Sequence, residues 1–179
     1  MAHAHPTRRV EPPINSEYFA HYKTTPAQVL DLPLMLLAQD VAKGVDTGFN
    51  RHEDFYALYI VTGGRGIHVI SGHPYHVARG DVYIALPGSY HAYRDFENLR
   101  AQCFCFTTDL FGAPELEALR ALSGLWSLQV DAAAPTEVSG EAVRRHRLHL
   151  SPERHAAIET MVRELWSEAR RAPANPAVA

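Results

Sequence analysis

Residues 51–106 read RHEDFYALYIVTGGRGIHVISGHPYHVARGDVYIALPGSYHAYRDFENLRAQCFCF. Apolar runs rich in Val, Ile, Tyr and Phe alternate here with turn signals. The turns are Gly63-Gly64-Arg65-Gly66, Ser71-Gly72-His73-Pro74, Arg79-Gly80-Asp81 and Leu86-Pro87-Gly88-Ser89. Short strands at such regular spacing build a sandwich or barrel, whereas βαβ units need a helix between strands. The pattern predicts strands over 55–62, 66–71, 75–77, 81–86, 91–94 and 100–106. Gly63-Gly64-Arg65-Gly66 lacks the following helix and the Lys-Ser/Thr of a phosphate loop, and reads as a hairpin turn needing positive φ.

Outside this stretch the chain changes character. Residues 1–20 contain Pro6, Pro12 and Pro13 and no periodicity, which predicts a flexible arm. Residues 21–112 are assigned to the barrel, with two short strands expected within 21–50 and a turn at Asp46-Thr47-Gly48. Residues 113–171 form a helical dimerisation or linker segment. Leu116, Leu119 and Leu122 place one short helix at Pro114–Leu122, and residues 131–142 read as a linker. A second helix is expected over Pro152–Arg170. Ser151 is its N-cap, Pro152 its N1 residue and Glu153 an acid in its first turn. Its apolar stripe is Ile158, Met161, Val162, Leu165 and Trp166, able to pack on its own barrel or on a second copy. Residues 172–179 are expected to be disordered.

Composition narrows the function classes. The 179 residues are 46% hydrophobic and carry a net charge of −3, so a core is available and the basic excess of a free-standing nucleic-acid binder is missing. The densest positive cluster, Arg144-Arg145-His146-Arg147, reads as a solvated linker. No apolar run approaches the ~20 residues of a membrane span. Cys103 and Cys105 lie two apart on one strand, with Cα atoms roughly 6.5–7 Å apart, at or beyond disulfide reach. Reduced thiols and a cytoplasmic setting are the expectation.

Gly80-Asp81-Val82-Tyr83-Ile84-Ala85-Leu86-Pro87-Gly88-Ser89-Tyr90-His91 resembles the second cupin motif. The block from His52 to Gly64 stands where the first motif belongs. The whole run, with HEDFY, GRGIHVISGHPY and GDVYIALPGSYHAYRDFENL, resembles the N-terminal sensor domain of AraC-type transcription regulators, especially rhamnose-responsive ones. The resemblance covers about residues 30–170. It implies a mainly β fold, a cupin-type double-stranded β-helix barrel followed by C-terminal α-helices. It also implies a small-molecule effector (a sugar or sugar acid), a homodimer, and an arm able to fold over the ligand. DNA would be contacted only through a helix-turn-helix part that these residues do not contain, and no membrane partner is implied.

The resemblance also tests for a metal. Anchored on Gly64, the ligand places of the first motif fall on Arg51, Glu53 and Ala57, and only His91 of the second motif keeps its type. A metal wants three or four converging N, O or S donors, so no metal cofactor and no catalytic role are expected. A shifted register would instead gather His52, Asp54 and His91. On it rests the alternative, a stand-alone metal-dependent cupin enzyme acting on a small polar substrate. Strand alternation from the motif positions puts Arg51, Glu53, Phe55, Ala57 and Tyr59 on the inner face, joined by His91 and Tyr93, with Cys103 as a wall residue. The expected ligand-binding set is therefore Arg51, Glu53, Phe55, Tyr59, His91 and Tyr93. It offers donors and acceptors to hydroxyls, aromatic faces to a sugar ring, and Arg51 to a carboxylate. His68, His73 and His76 read as surface residues beside a hairpin.

Overall fold

The computed structural model describes residues 14–22, 32–41, 48–122, 129–130 and 147–171. The expected linker at 131–142, the cationic residues 144–146, the turn at 46–47 and the tail 172–179 lie outside them.

Nine strands form one continuous hydrogen-bonded sheet. They are β1 (Ile14–Glu17), β2 (Leu34–Asp40), β3 (Phe49–His52), β4 (Tyr56–Ile70), β5 (His73–Ala78), β6 (Asp81–Ala85), β7 (Tyr90–Phe106), β8 (Gln129–Val130) and β9 (Leu148–His149). Two long strands are the frame. β7 pairs antiparallel with β2, β3 and β4, and β4 pairs with β5, β6 and β7. The outcome is a mainly β, cupin-type barrel closed by a C-terminal helix.

The Gly63–Gly66 segment is not the expected hairpin turn. β4 runs straight through it, and the pairing with β7 shifts register between Val61 and Ile67. Positive φ is present, at Gly64 (67°), and opposite it Asp95 (45°) and Asn98 (49°) also turn left-handed. A Cβ on Gly64 would run into the Asn98 and Glu97 carbonyls, so only glycine lets the two backbones meet there. The glycines thus serve a bulge that bends β4 and β7 together, as barrel corners require. Each pair of expected strands, 55–62 with 66–71 and 91–94 with 100–106, becomes one bent strand.

The two faces of this sheet have separate cores. Inside lie Phe55, Ala57, Tyr59, Val61, Ile70, Tyr83, Tyr93, Ala101, Cys103 and Cys105, with Met35 from β2. On the outer face, Leu58, Ile60, Val82 and Phe104 receive Leu150, Ile158, Val162 and Trp166. Those last residues belong to the segment leading into α2 (Pro152–Arg171) and to α2 itself; a shorter helix, α1 (Ala113–Ala121), follows β7. Ser151 accepts a hydrogen bond from the Arg154 amide, as an N-cap should. The apolar stripe is thus largely covered by the chain's own barrel, while Met161 remains 65% exposed.

Strands also come from beyond residues 21–112. β1, from the N-terminal arm, lies parallel to β3, and β8 and β9 flank β6. Behind β1, the Phe19 amide donates to Asp54 (2.7 Å), and the Phe19 ring packs edge-on against Phe55. No helix among the described residues is long and apolar enough to cross a membrane.

Candidate functional site

Three strands bring three imidazoles to one place in the barrel. His52 ends β3, His68 lies on the second half of β4, and His91 begins β7. All are buried, at 4%, 0% and 5% exposure. Their ring nitrogens form a line. His52 Nε2 meets His91 Nε2 at 3.0 Å, His91 Nδ1 meets His68 Nε2 at 2.9 Å, and His68 Nδ1 meets the Tyr83 hydroxyl at 2.7 Å. Aromatic rings enclose it. Phe55 stacks on His52 (centroids 4.5 Å apart), Tyr93 on His68 (4.1 Å) and Tyr59 on Tyr83 (5.1 Å). The Tyr93 hydroxyl donates to Gln39 Oε1 at 2.7 Å.

Burial decides the charge of this line. It lowers His52 to about 4 and His91 to about 3, with the neighbouring imidazole adding to the second. His68 is also pushed well below the ordinary histidine value, by burial first and then by His91 and His52. Burial likewise pushes Tyr59, Tyr83 and Tyr93 well up. At neutral pH the three imidazoles and the three phenols are therefore uncharged, with the Glu17 carboxylate 3.9 Å from His52 Nε2.

A neutral imidazole carries one N–H and one acceptor nitrogen, so the line has two self-consistent proton orders. In one, Tyr83 donates to His68, His68 to His91 and His91 to His52. In the other, every bond is reversed. Both orders end on His52 Nδ1, as an unmet donor in the first and an unmet acceptor in the second. Among the described residues, His52 Nδ1 and the Tyr59 hydroxyl are buried polar atoms without a hydrogen-bond partner. Such an atom costs about 1–3 kcal/mol, so each needs an explanation.

The expected site residues divide. Phe55, Tyr59, His91 and Tyr93 share the interior. Arg51 and Glu53 do not join them, and the buried residue between them is His52. Inner-face alternation holds from Phe55 to Val61 but is out of phase before it, because the chain bends at Glu53-Asp54 between β3 and β4. Glu53 instead accepts a hydrogen bond from Ser16 of β1. The surface reading of His68 is overturned by its complete burial. Alternation counted backward from a buried Ile70 could have found it; the supposed hairpin hid that signal. His73 is half-buried and His76 exposed.

The donor set does not suit the metal that the fold family implies. His52 and His91 do come together, but Asp54 is exposed and accepts from Phe19. His91 and His68 engage both ring nitrogens in the line, so the three rings do not converge on a point. Among the described residues, no group of three or more His, Cys, Asp and Glu side chains is placed to hold a metal ion.

The model of the AraC-like ligand binding domain family matches residues 42–177. The chain belongs to this family. Curated relatives agree. The HTH-type transcriptional activator RhaS of Klebsiella pneumoniae (strain 342) is 38% identical over 77 residues, 43% of this chain and 25% of the relative. RhaS of Citrobacter koseri is 33% identical over 100 residues (56% and 32%), and RhaS of Yersinia pestis (strain Pestoides F) 29% over 119 (64% and 41%). The chain thus spans between a quarter and about two-fifths of these relatives. Among solved structures, the Schizosaccharomyces pombe Cnp3 cupin domain is similar at TM-score 0.40, with 12% identity over 51% of this chain and 64% of that one. KdgF from Halomonas sp. is similar at 0.39, with 16% identity over 44% and 76%. A likeness of that size carries no functional argument. The AraC-like domain is an effector-binding regulatory domain.

Proposed function

We propose that the interior of this AraC-like domain binds a neutral, polyhydroxylated small molecule of sugar type, and that the domain senses it for a transcription regulator acting in the cytoplasm. Binding without chemical conversion is the role proposed. The unmet Nδ1 of His52, at the end of an uncharged hydrogen-bonded line, carries this reading. A sugar hydroxyl both donates and accepts, so it can complete the line in either proton order. Beside His52, Phe55 supplies an apolar ring, and the unpartnered Tyr59 hydroxyl supplies a second polar atom in the interior. A sugar acid fits less well. Arg51, its expected counter-charge, lies on the strand position adjacent to His52 and so on the opposite face of β3. A carboxylate in the interior would therefore be buried without a cation.

Thermal shift with a panel of neutral monosaccharides, deoxysugars and the matching sugar acids tests this. A neutral sugar should raise the Tm, and His52→Gln should abolish the rise. Stabilisation by acids alone, or by no member of the panel, overturns the proposal. Homodimerisation is proposed with it, on the exposed Met161 of α2 beside the half-buried Leu165. Light scattering at micromolar concentration that reports a monomer refutes that part. Operator contact is assigned to a region of the regulator outside these residues.

A further inference from the structure

We propose that Cys103 and Cys105, with the Met35 thioether facing them, form a binding site for a thiophilic monovalent d10 cation, Cu(I) in chemical class. The inference shares only the Tyr59 hydroxyl with the effector reading and otherwise stands apart from it. The two thiols lie on the inner face of β7, each 1% exposed, with sulfurs 3.5 Å apart. Both are free. Residues two apart on a strand sit roughly 6.5–7 Å apart at Cα, where a disulfide cannot close without backbone movement. The same spacing suits chelation. Two sulfurs at about 2.3 Å from one ion stand about 3.8 Å apart at the tetrahedral angle, a few tenths of an ångström from the distance seen.

Two neighbours add to the pair. Met35 of β2 is directly opposite Cys105 in the antiparallel register and fully buried, so a third soft donor occupies the same face. Thiolate and thioether donors select Cu(I) over harder ions. Tyr59 is opposite Cys103 on β4 and is 0% exposed. Its hydroxyl is the buried donor without a partner noted above. A thiol is a poor acceptor and a thiolate a good one, so a metal-bound sulfur would supply what Tyr59 lacks.

The soft all-sulfur donor set favours Cu(I). Each ligating thiol gives up its proton as the Cu(I)–sulfur bond forms, so two thiols release two protons with no change of oxidation state. The resulting bis-thiolate carries one negative charge, which the buried Tyr59 hydroxyl is placed to meet as a donor.

The test is anaerobic titration of the purified chain with Cu(I) against a chromophoric Cu(I) chelator. One equivalent should be withdrawn, with a near-ultraviolet thiolate-to-copper band. Cys103→Ala and Cys105→Ala should each weaken retention by roughly 100-fold or more, and Met35→Leu, which conserves volume, by roughly tenfold. X-ray absorption of the wild-type Cu(I) form keeps the proposal testable if a cysteine variant fails to fold, and should show a first shell of sulfur alone. Failure to compete with the chelator, nitrogen or oxygen in that shell, or full retention by a folded Cys103→Ala protein overturns it.

Discussion

The AraC-like domain buries polar side chains in two places on one sheet, and the two networks differ in how they end. Where β6 begins, Asp81 is 1% exposed and fully engaged. It accepts from the Ala78 amide (2.8 Å) and pairs with Arg147 (3.0 Å) and His149 (2.8 Å). Arg147 also reaches the His76 carbonyl. The Leu150 amide donates to the Gly80 carbonyl, and buried His155 bonds the Val61 carbonyl at 3.1 Å, with Glu159 on its other side. This network clamps the β9–α2 segment to the β5–β6 turn. Inside the barrel, the line through His68, His91 and His52 stops on an atom with no partner. The first network closes on itself, and the second leaves one buried atom unmet.

Acid separates the two networks most strongly. An imidazole whose folded pKa lies below its unfolded value binds fewer protons when folded, so stability must fall as pH drops below about 6.5. His52, at about 4, contributes a loss of about 2 kcal/mol between pH 7 and pH 5, and His68 and His91 add losses in the same direction. Urea unfolding across that range should show the slope, and His68→Phe should flatten it. An unchanged slope in that variant would refute a neutral buried line.

Opening the closed network should come next. Asp81→Ala leaves the Ala78 amide, Arg147 and His149 without their acceptor. Because Arg147 and His149 keep access to water, the expected loss is about 3 kcal/mol and not the upper end for buried pairs. Equilibrium urea unfolding reads it directly. The proposed ligand-dependent thermal shift should survive in this variant, since Asp81 belongs to the closed network.

Two smaller effects complete the contrast. Trp166→Phe keeps the ring of α2 on the sheet and removes the indole bond to Gln102 (3.0 Å), at a cost of about 1 kcal/mol in the same measurement. His52→Gln, at the open end, keeps a polar end able to bond His91 Nε2 and loses the stack on Phe55, and should change stability at neutral pH by about 1 kcal/mol. It should nevertheless remove ligand stabilisation, which calorimetry with the identified sugar would measure. A large loss of stability with binding intact would make His52 an architectural residue and erase the difference between the networks.

The barrel was legible in the spacing of short apolar runs and turns, and α2 in its cap and stripe. Pro152–Arg170 was expected and Pro152–Arg171 is found. The glycines at 63–66 were correctly read as demanding positive φ and incorrectly as a hairpin, since a bulge and a turn place the same demand on the backbone. Phe55 and Tyr59 were placed in the interior by strand alternation, which is local, and His91, with Tyr93 two residues on, by the second motif. Arg51 and Glu53 were misplaced because alternation restarts after any bend, and the bend at Glu53-Asp54 has no hydrophobic signature. Arg147, read as a solvated linker residue, is an ion-pair partner of Asp81, 66 positions away.

By itself the sequence determined most of the strand residues between 55 and 106, where the last helix starts, and which residues stand at the metal places of the cupin motif. Those properties depend on neighbours within a few positions. Only the tertiary structure decided which histidines meet. His52, His68 and His91 stand 16 or more positions apart on three strands, and their meeting depends on two strands bending together at Gly64. Burial at that meeting point, which no window of sequence encodes, is what holds the imidazoles neutral and leaves one nitrogen free for a ligand.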